Sequence, residues 1–278
     1  MSRSDGQQVE WGRLKAHELR ALAQRRAVVV LPVAATEQHG PHLPTMTDTR
    51  IGGEVARRAA RKAYARQPTV VAPVVFAGLS GHHMDFGGTL TLDHETFMAV
   101  IGCLVRSVVQ HGFRKIVLSN SHGGNIRAMQ FAADQLAQET GAAIVATTYA
   151  QEAAKTIAPL LEDQAGVMHA GEAETSMMLA LEPDLVDSTD LAALDTERGR
   201  GFLYAGEASY RWRPFQHMTG NGVSGFPAKA SAEKGERLLE AASDAIAALI
   251  ADPQSWADPS DLRGMTAAGV PFRAPKSS

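Results

Sequence analysis

Six of the ten histidines, His39, His42, His82, His83, His122 and His169, fall in four short, polar, glycine-containing segments. Imidazoles spaced closely with carboxylates form a donor set suited to a borderline divalent cation such as zinc or manganese. In segment 36–48 (TEQHGPHLPTMTD), Glu37 and His39 stand two apart, so an extended backbone points both the same way. Asp48 follows nine residues after His39. The same residues also read as a helix N-cap at Asp48 and a turn at His39.

Segment 119–125 (SNSHGGN) sets His122 before paired glycines. A glycine loop between a strand and a helix can cradle phosphate, but neither GxxxxGK[ST] nor GxGxxG occurs here. His122 as a ligand, with Gly123 leaving room for a substrate, is the better reading. Segment 169–176 (HAGEAETS) holds His169, Glu172 and Glu174 within six residues. In a regular helix the two carboxylates face about 200° apart, so one is left for solvent or for the helix start. Segment 80–92 (SGHHMDFGGTLTL) adds Ser80 and the pair His82 and His83, each of which also suits a core or rim position.

Positioning these segments calls for an α/β sheet. AVVVLPV (27–33), TVVAPVVF (69–76), KIVLSN (115–120) and AAIVATTY (142–149) read as buried parallel strands, because they are β-branched runs without polar alternation. Helical periodicity predicts helices over 48–66, 94–111, 126–140 and 229–251. Three of the four histidine segments directly follow predicted strands. In open parallel sheets, ligands bind beyond the carboxyl ends of the strands, so the segments are candidates for one site. Segment 194–227, with Phe202, Tyr204, Tyr210, Trp212 and Phe215, lacks periodicity and is expected to be a surface excursion that partners cover. Residues 1–252 are expected to form one catalytic domain. The tail 253–278 is expected to dock Trp256 and Phe272 on the body or on a neighbouring subunit.

Composition narrows the function classes. The chain has 278 residues, 45% of them hydrophobic, enough for one large core. Its 27 Lys and Arg against 30 Asp and Glu leave a formal charge of -3, which argues against a nucleic-acid partner. Cys103 is the single cysteine and lies in an apolar run, so a buried core position and a reducing compartment are expected. With no long apolar stretch and no leader-like start, the expectation is a cytoplasmic protein without a membrane partner.

Taken together, E-x-H, an Asp nine residues on, NSHGGN and HAGxxETS resemble the creatininase (creatinine amidohydrolase) family of metal-dependent hydrolases. The resemblance runs over roughly residues 27–235 and includes GVSGFP at 222–227, where Phe226 replaces the usual acid of the family's GVxGDP signature. It implies a three-layer α/β/α sandwich, a small-molecule substrate and assembly into a homo-oligomer, most commonly a hexamer. It also implies two divalent ions per chain, zinc and/or manganese with iron possible. Glu37 and His122 would hold one ion, His39 and Glu174 the other, and Asp48 would bridge them. His169 matches the family's catalytic histidine. Ser80, His82, Gly123 and Glu172 are the expected substrate-binding residues.

A hydroxide shared by two ions would attack the carbonyl of a small amide, cyclic amide or formamide, and His169 would protonate the departing nitrogen. The same site could instead open an ester, a lactone or a carbon–carbon bond of a sugar- or polyol-derived substrate, or the chain could be an inactive binding member. A serine hydrolase is disfavoured, since Ser121 and Ser224 lack a GxSxG turn. Creatininase proper has a glutamate at the position of Gly124 and a tryptophan at that of Ala165, which makes creatinine a poor substrate candidate. The His-Gly-Gly-Asn form is more like the formamide deformylases of flavin and deazaflavin synthesis and the peptidase of mycofactocin maturation.

Overall fold

The computed structural model describes residues 7–196 and 211–260. Phe202, Tyr204, Tyr210 and Phe272, named above, lie outside the described residues. Four parallel strands, β1 (Val28–Val33), β2 (Thr69–Val71), β3 (Lys115–Asn120) and β4 (Ala143–Thr148), pair in the order β2-β1-β3-β4. The helices are α1 (Ala16–Gln24), α2 (Thr47–Ala63), α3 (His94–Gln110), α4 (Ile126–Thr140), the short α5 (Tyr149–Glu152) and α6 (Ala154–Ile157), α7 (Glu172–Leu181) and α8 (Ala232–Ala251).

Strand alternation divides the core into two layers. Val28, Val30 and Val117 point into a cluster with Ile51 and Val55 of α2, Met177 of α7 and Leu239 and Ile246 of α8. Val29, Leu31, Ile116 and Leu118 point the other way, onto Leu22 of α1, Phe97 and Ile101 of α3 and Met129 of α4. Helices therefore cover both sheet faces, and the result is the expected three-layer α/β/α sandwich.

Several elements depart from the sequence expectation. β2 ends at Val71 rather than 76, because Pro73 has no N–H to continue a ladder. Ala72 and Val75 still donate to Val30 and Pro32 of β1, at 2.8 and 2.9 Å. β4 is half-buried rather than buried, since it forms one edge of the sheet. Cys103 is exposed on the outer face of α3, not in the core. The described part of the supposed surface excursion folds into the body: Phe215, Val223 and Ser224 are all buried, and of its described large hydrophobic side chains Trp212 stands out, at 55% exposed. Trp256 docks on the body, donating from Nε1 to Ile250 O at 3.0 Å, with the Lys115 ammonium 5.6 Å from its ring centre.

Helices α7 and α8 approach so closely that a Cβ at Gly235 would lie 1.9 Å from the Ser176 carbonyl oxygen. In an open helix Gly→Ala adds up to ~1 kcal/mol of stability. Here overpacking against backbone prevails, and Gly235→Ala is expected to destabilise by about 1–3 kcal/mol. A urea midpoint at or above that of the wild type would contradict this packing.

Candidate metal centre

Parallel pairing of β1 with β3 places Val33 opposite Asn120, so the loops leaving these two strands start side by side. The first carries Glu37 and His39 and leads into α2, where Asp48 sits in the first turn. The helix is capped by Met46, so Asp48 is not the N-cap. Its backbone carbonyl accepts a hydrogen bond from Ser121 Oγ at 2.9 Å, which ties the two loops together. The second loop carries His122. Asn120 holds it in place, accepting from His122 N at 3.0 Å and donating to its carbonyl at 2.7 Å. Glu174 comes from the first turn of α7, with Ala170 N donating to its Oε2 at 2.7 Å.

These five side chains converge. His122 Nδ1 lies 3.2 Å from Glu37 Oε1 and 3.3 Å from Asp48 Oδ2. His39 Nε2 lies 3.3 Å from Asp48 Oδ1 and 3.5 Å from Glu174 Oε2. Two donor triplets result, Glu37–Asp48–His122 and His39–Asp48–Glu174, each with ligand atoms within 4.8 Å of one another and with Asp48 in both. A third such triplet is Glu37–His39–His169. All five side chains are buried, yet Glu37 Oε2, His39 Nε2 and Asp48 Oδ2 have no hydrogen-bond partner. Unpaired buried polar atoms are costly, so this donor set fits cations.

The far side of each imidazole is also specified. His39 Nδ1 faces the Glu37 carbonyl at 3.1 Å, and His122 Nε2 faces the Leu79 carbonyl at 3.2 Å. A carbonyl accepts only, so each of those nitrogens carries a proton, and the other nitrogen is the one that would give its lone pair to a bound cation. A side chain at Gly124 would meet both His122 Nε2 and Leu79 O at 2.4 Å, so this packing requires glycine there.

Electrostatics follow from three carboxylates in a buried cluster. Burial pulls the His39 imidazole down, but Asp48, Glu174 and Glu37 outweigh it and push it up to about 10. Burial together with the Asp48 charge raises Glu174 to about 7 against the opposing pull of His39. Despite its burial, Asp48 is held low by His39 and His122. His169 is shifted well below its ordinary value by burial and then by His39.

The cluster opens on a cavity of about 310 Å³ lined by Glu37, Asp48, His122, Gly123, His169 and Glu174, with Tyr149 and Met168 on its apolar side. Of the expected substrate-binding residues, Gly123 lies on this wall. Ser80 and His82 sit behind His122: Ser80 Oγ is 3.4 Å from His122 Nε2, and the His82 ring is stacked at 5.7 Å. Glu172 does not reach the cluster. It is fully buried, accepts from the backbone N–H groups of Glu162 and Asp163, and pairs with Lys234. Sequence reasoning missed Gln38, whose side-chain amide lies 2.7 Å from His83 and 3.1 Å from His169, and Phe215, packed 4.3 Å from the His83 ring. His83, left open with His82, is the one of the pair that reaches Glu37, at 3.3 Å.

With this geometry established, comparison with known proteins identifies the chain. Residues 12–250 match the profile of the creatininase family, described as creatinine amidohydrolase. The chain belongs to the creatininase family. A mycofactocin precursor peptide peptidase of Mycobacterium ulcerans is 32% identical over 216 residues, covering 76% of this chain and 79% of that protein. A 3-dehydro-scyllo-inosose hydrolase of Thermotoga maritima is 29% identical over 256 residues, covering 84% and 80%. Creatininase structures superpose with a TM-score of 0.73 for a Zn-Zn form of a mutant enzyme (28% identity) and 0.72 for a Mn form (27% identity). Each covers 88% of this chain and 98% of the other. The protein is thus a metal-dependent hydrolase of a family that acts on carbon–nitrogen bonds. Among the described residues no helix is long and apolar enough to cross a membrane.

A pH dependence follows from His42, which hydrogen-bonds Thr175 Oγ1 at 2.9 Å. Burial, followed by the His39 charge, lowers it from 6.5 to about 4. An unfolded chain takes up a proton at this residue below about pH 6.5, whereas the folded chain does not do so until about pH 4. Stability is therefore present above pH 6.5 and lost as pH falls toward 4. His42→Asn should flatten the fall in unfolding free energy across that window. An unchanged slope would place the acid sensitivity elsewhere.

Proposed function

We propose that this chain is a binuclear amidohydrolase with zinc or manganese, or alternatively iron, as its ions. Glu37, His122 and Asp48 would hold one ion, and His39, Glu174 and Asp48 the other. The observation that carries this reading is the pair of donor triplets sharing Asp48, with buried oxygen and nitrogen atoms otherwise unpartnered. Divalent ions bound there supply Lewis acidity, polarising a carbonyl and lowering the pKa of water.

The chain's own groups do the rest. The cavity, lined by Glu37, Asp48, His122, Gly123, His169 and Glu174, would take a small amide, cyclic amide or formamide. His169 Nδ1 lies 3.6 Å from Glu37 Oε1 at the same wall. An N–H there is placed to stabilise negative charge on the attacked carbonyl oxygen or the departing nitrogen. His169 is the proposed catalytic residue, and Gly123 the proposed backbone neighbour of the substrate. Absence of basic excess in the composition supports a small-molecule substrate rather than nucleic acid, and family membership supports a cytoplasmic homo-oligomer, most commonly a hexamer.

Elemental analysis of protein loaded with zinc or manganese should approach two equivalents per chain, and Asp48→Ala should remove more metal than any other single ligand change. A steady value at or below one equivalent would overturn the binuclear reading. Screening the loaded enzyme against amides, lactams, formamides and lactones tests the substrate class, lactone turnover alone being the outcome against C–N hydrolysis. His169→Ala should retain both ions and lower kcat by about 10²–10³-fold, the range for losing one preorganised donor. Loss of metal in this variant would make His169 a ligand, as the third triplet allows.

A further inference from the structure

Gln38 is buried between two backbone groups of fixed polarity. Its Oε1 accepts from Gly40 N at 2.9 Å, and its Nε2 donates to the Gly222 carbonyl at 3.2 Å. An amide N–H can only donate and a carbonyl can only accept, so the carboxamide cannot be turned over. The same Nε2 lies 2.7 Å from His83 Nδ1 and 3.1 Å from His169 Nε2. Nε2 carries two hydrogens for these three neighbours, so one is shared, and because an amide nitrogen cannot accept, neither imidazole can turn an N–H toward it and each presents a lone pair.

We propose that Gln38 is a positioning residue that sets the tautomers of His83 and His169, holding the proton of His83 on Nε2 and that of His169 on Nδ1. The His83 N–H then faces Glu37 Oε1 at 3.3 Å, whereas His169 Nδ1, 3.6 Å from the same atom, lies beyond hydrogen-bond reach of it. His83 thereby orients a carboxylate of the centre, and His169 keeps a donor, not a lone pair, toward the cavity. The inference deepens the functional reading above and rests on it only for the catalytic consequence.

Two glycines make this possible. Gly40 and Gly222 both adopt positive φ, +65° and +80°. A Cβ at Gly222 would lie 2.2 Å from Gln38 Oε1. This gives a task to the GVSG loop, which the metal ligands leave unexplained: its first residue leaves room for the Gln38 amide and its carbonyl orients it.

The decisive measurement is the long-range ¹H–¹⁵N spectrum of histidine-labelled protein, metal-free and zinc-loaded, with His83 and His169 assigned through the missing signals of His83→Ala and His169→Ala. Neutral rings protonated at His83 Nε2 and His169 Nδ1 are expected, and a wild-type His169 protonated at Nε2 would overturn the assignment. Gln38→Glu keeps the shape and replaces the donor by an acceptor. It should move the proton to His83 Nδ1 and His169 Nε2 and lower kcat by about 10–100-fold, as loss of an orienting partner does, with KM and metal content near wild type. Gln38→Met, which removes the donor without adding charge, should lower kcat as well.

Unchanged tautomers in Gln38→Glu, or unchanged kcat in both variants, would refute the role. Misfolding of both would show that Gln38 holds the loop rather than the protons. Because the tautomers are read in metal-free protein, failure to load two ions or to hydrolyse any amide would defeat the functional reading while leaving this test decided.

Discussion

The structure depends on one buried carboxylate held between two imidazoles. Asp48 places one oxygen 3.3 Å from His39 and the other 3.3 Å from His122, and Glu37 and Glu174 crowd the same buried volume. Three carboxylates cannot stay ionised together in such a place without compensating positive charge, which is the electrostatic reason this cluster suits cations. It also makes the surrounding loops rigid by necessity, because a ligand set that drifts by an ångström loses both charge compensation and geometry.

That rigidity is supplied by the backbone and by neutral amides. Asn120 clamps the His122 loop and also donates to Thr148 Oγ1 at 3.0 Å, reaching the end of β4. Asn125 accepts from Leu79 N at 2.9 Å and donates to Ala34 O at 3.1 Å, joining the β1 loop to the segment that supplies the carbonyl under His122. Buried amides can satisfy donors and acceptors at once without adding charge, so they stiffen the site without disturbing its electrostatics. The charged pairs lie elsewhere: Arg58 and Lys62 of α2 meet Glu236, Glu240 and Asp244 of α8 on the outer face, where water screens them.

Much of this was legible in the sequence because it depends on short-range patterning. The β-branched runs specified β1 and β3, and the helices at 94–110 and 126–140 emerge within a residue of their periodic signal. Pro73 cut β2 short, where side-chain hydrophobicity had outweighed a missing N–H. Cys103 shows the converse error: an apolar run on a helix still has an outer face, and residue 103 happens to lie on it.

The amino-acid sequence by itself determined which chemistry was available: the E-x-H, Asp, His and Glu donors, their placement at strand ends, and through them the family. Tertiary structure alone decided how those donors are used. Glu172 and Glu174 are two residues apart, yet a helix turn sends one to Lys234 and the other to His39. His82 and His83 are adjacent, yet only His83 reaches Glu37. Phe215 and Gly222, distant in the chain from every ligand, complete the walls and hydrogen bonds around His83, His169 and Gln38. Local spacing fixes direction only within one element. The partners a side chain meets depend on where the other elements dock, and that is set by burial of the whole core.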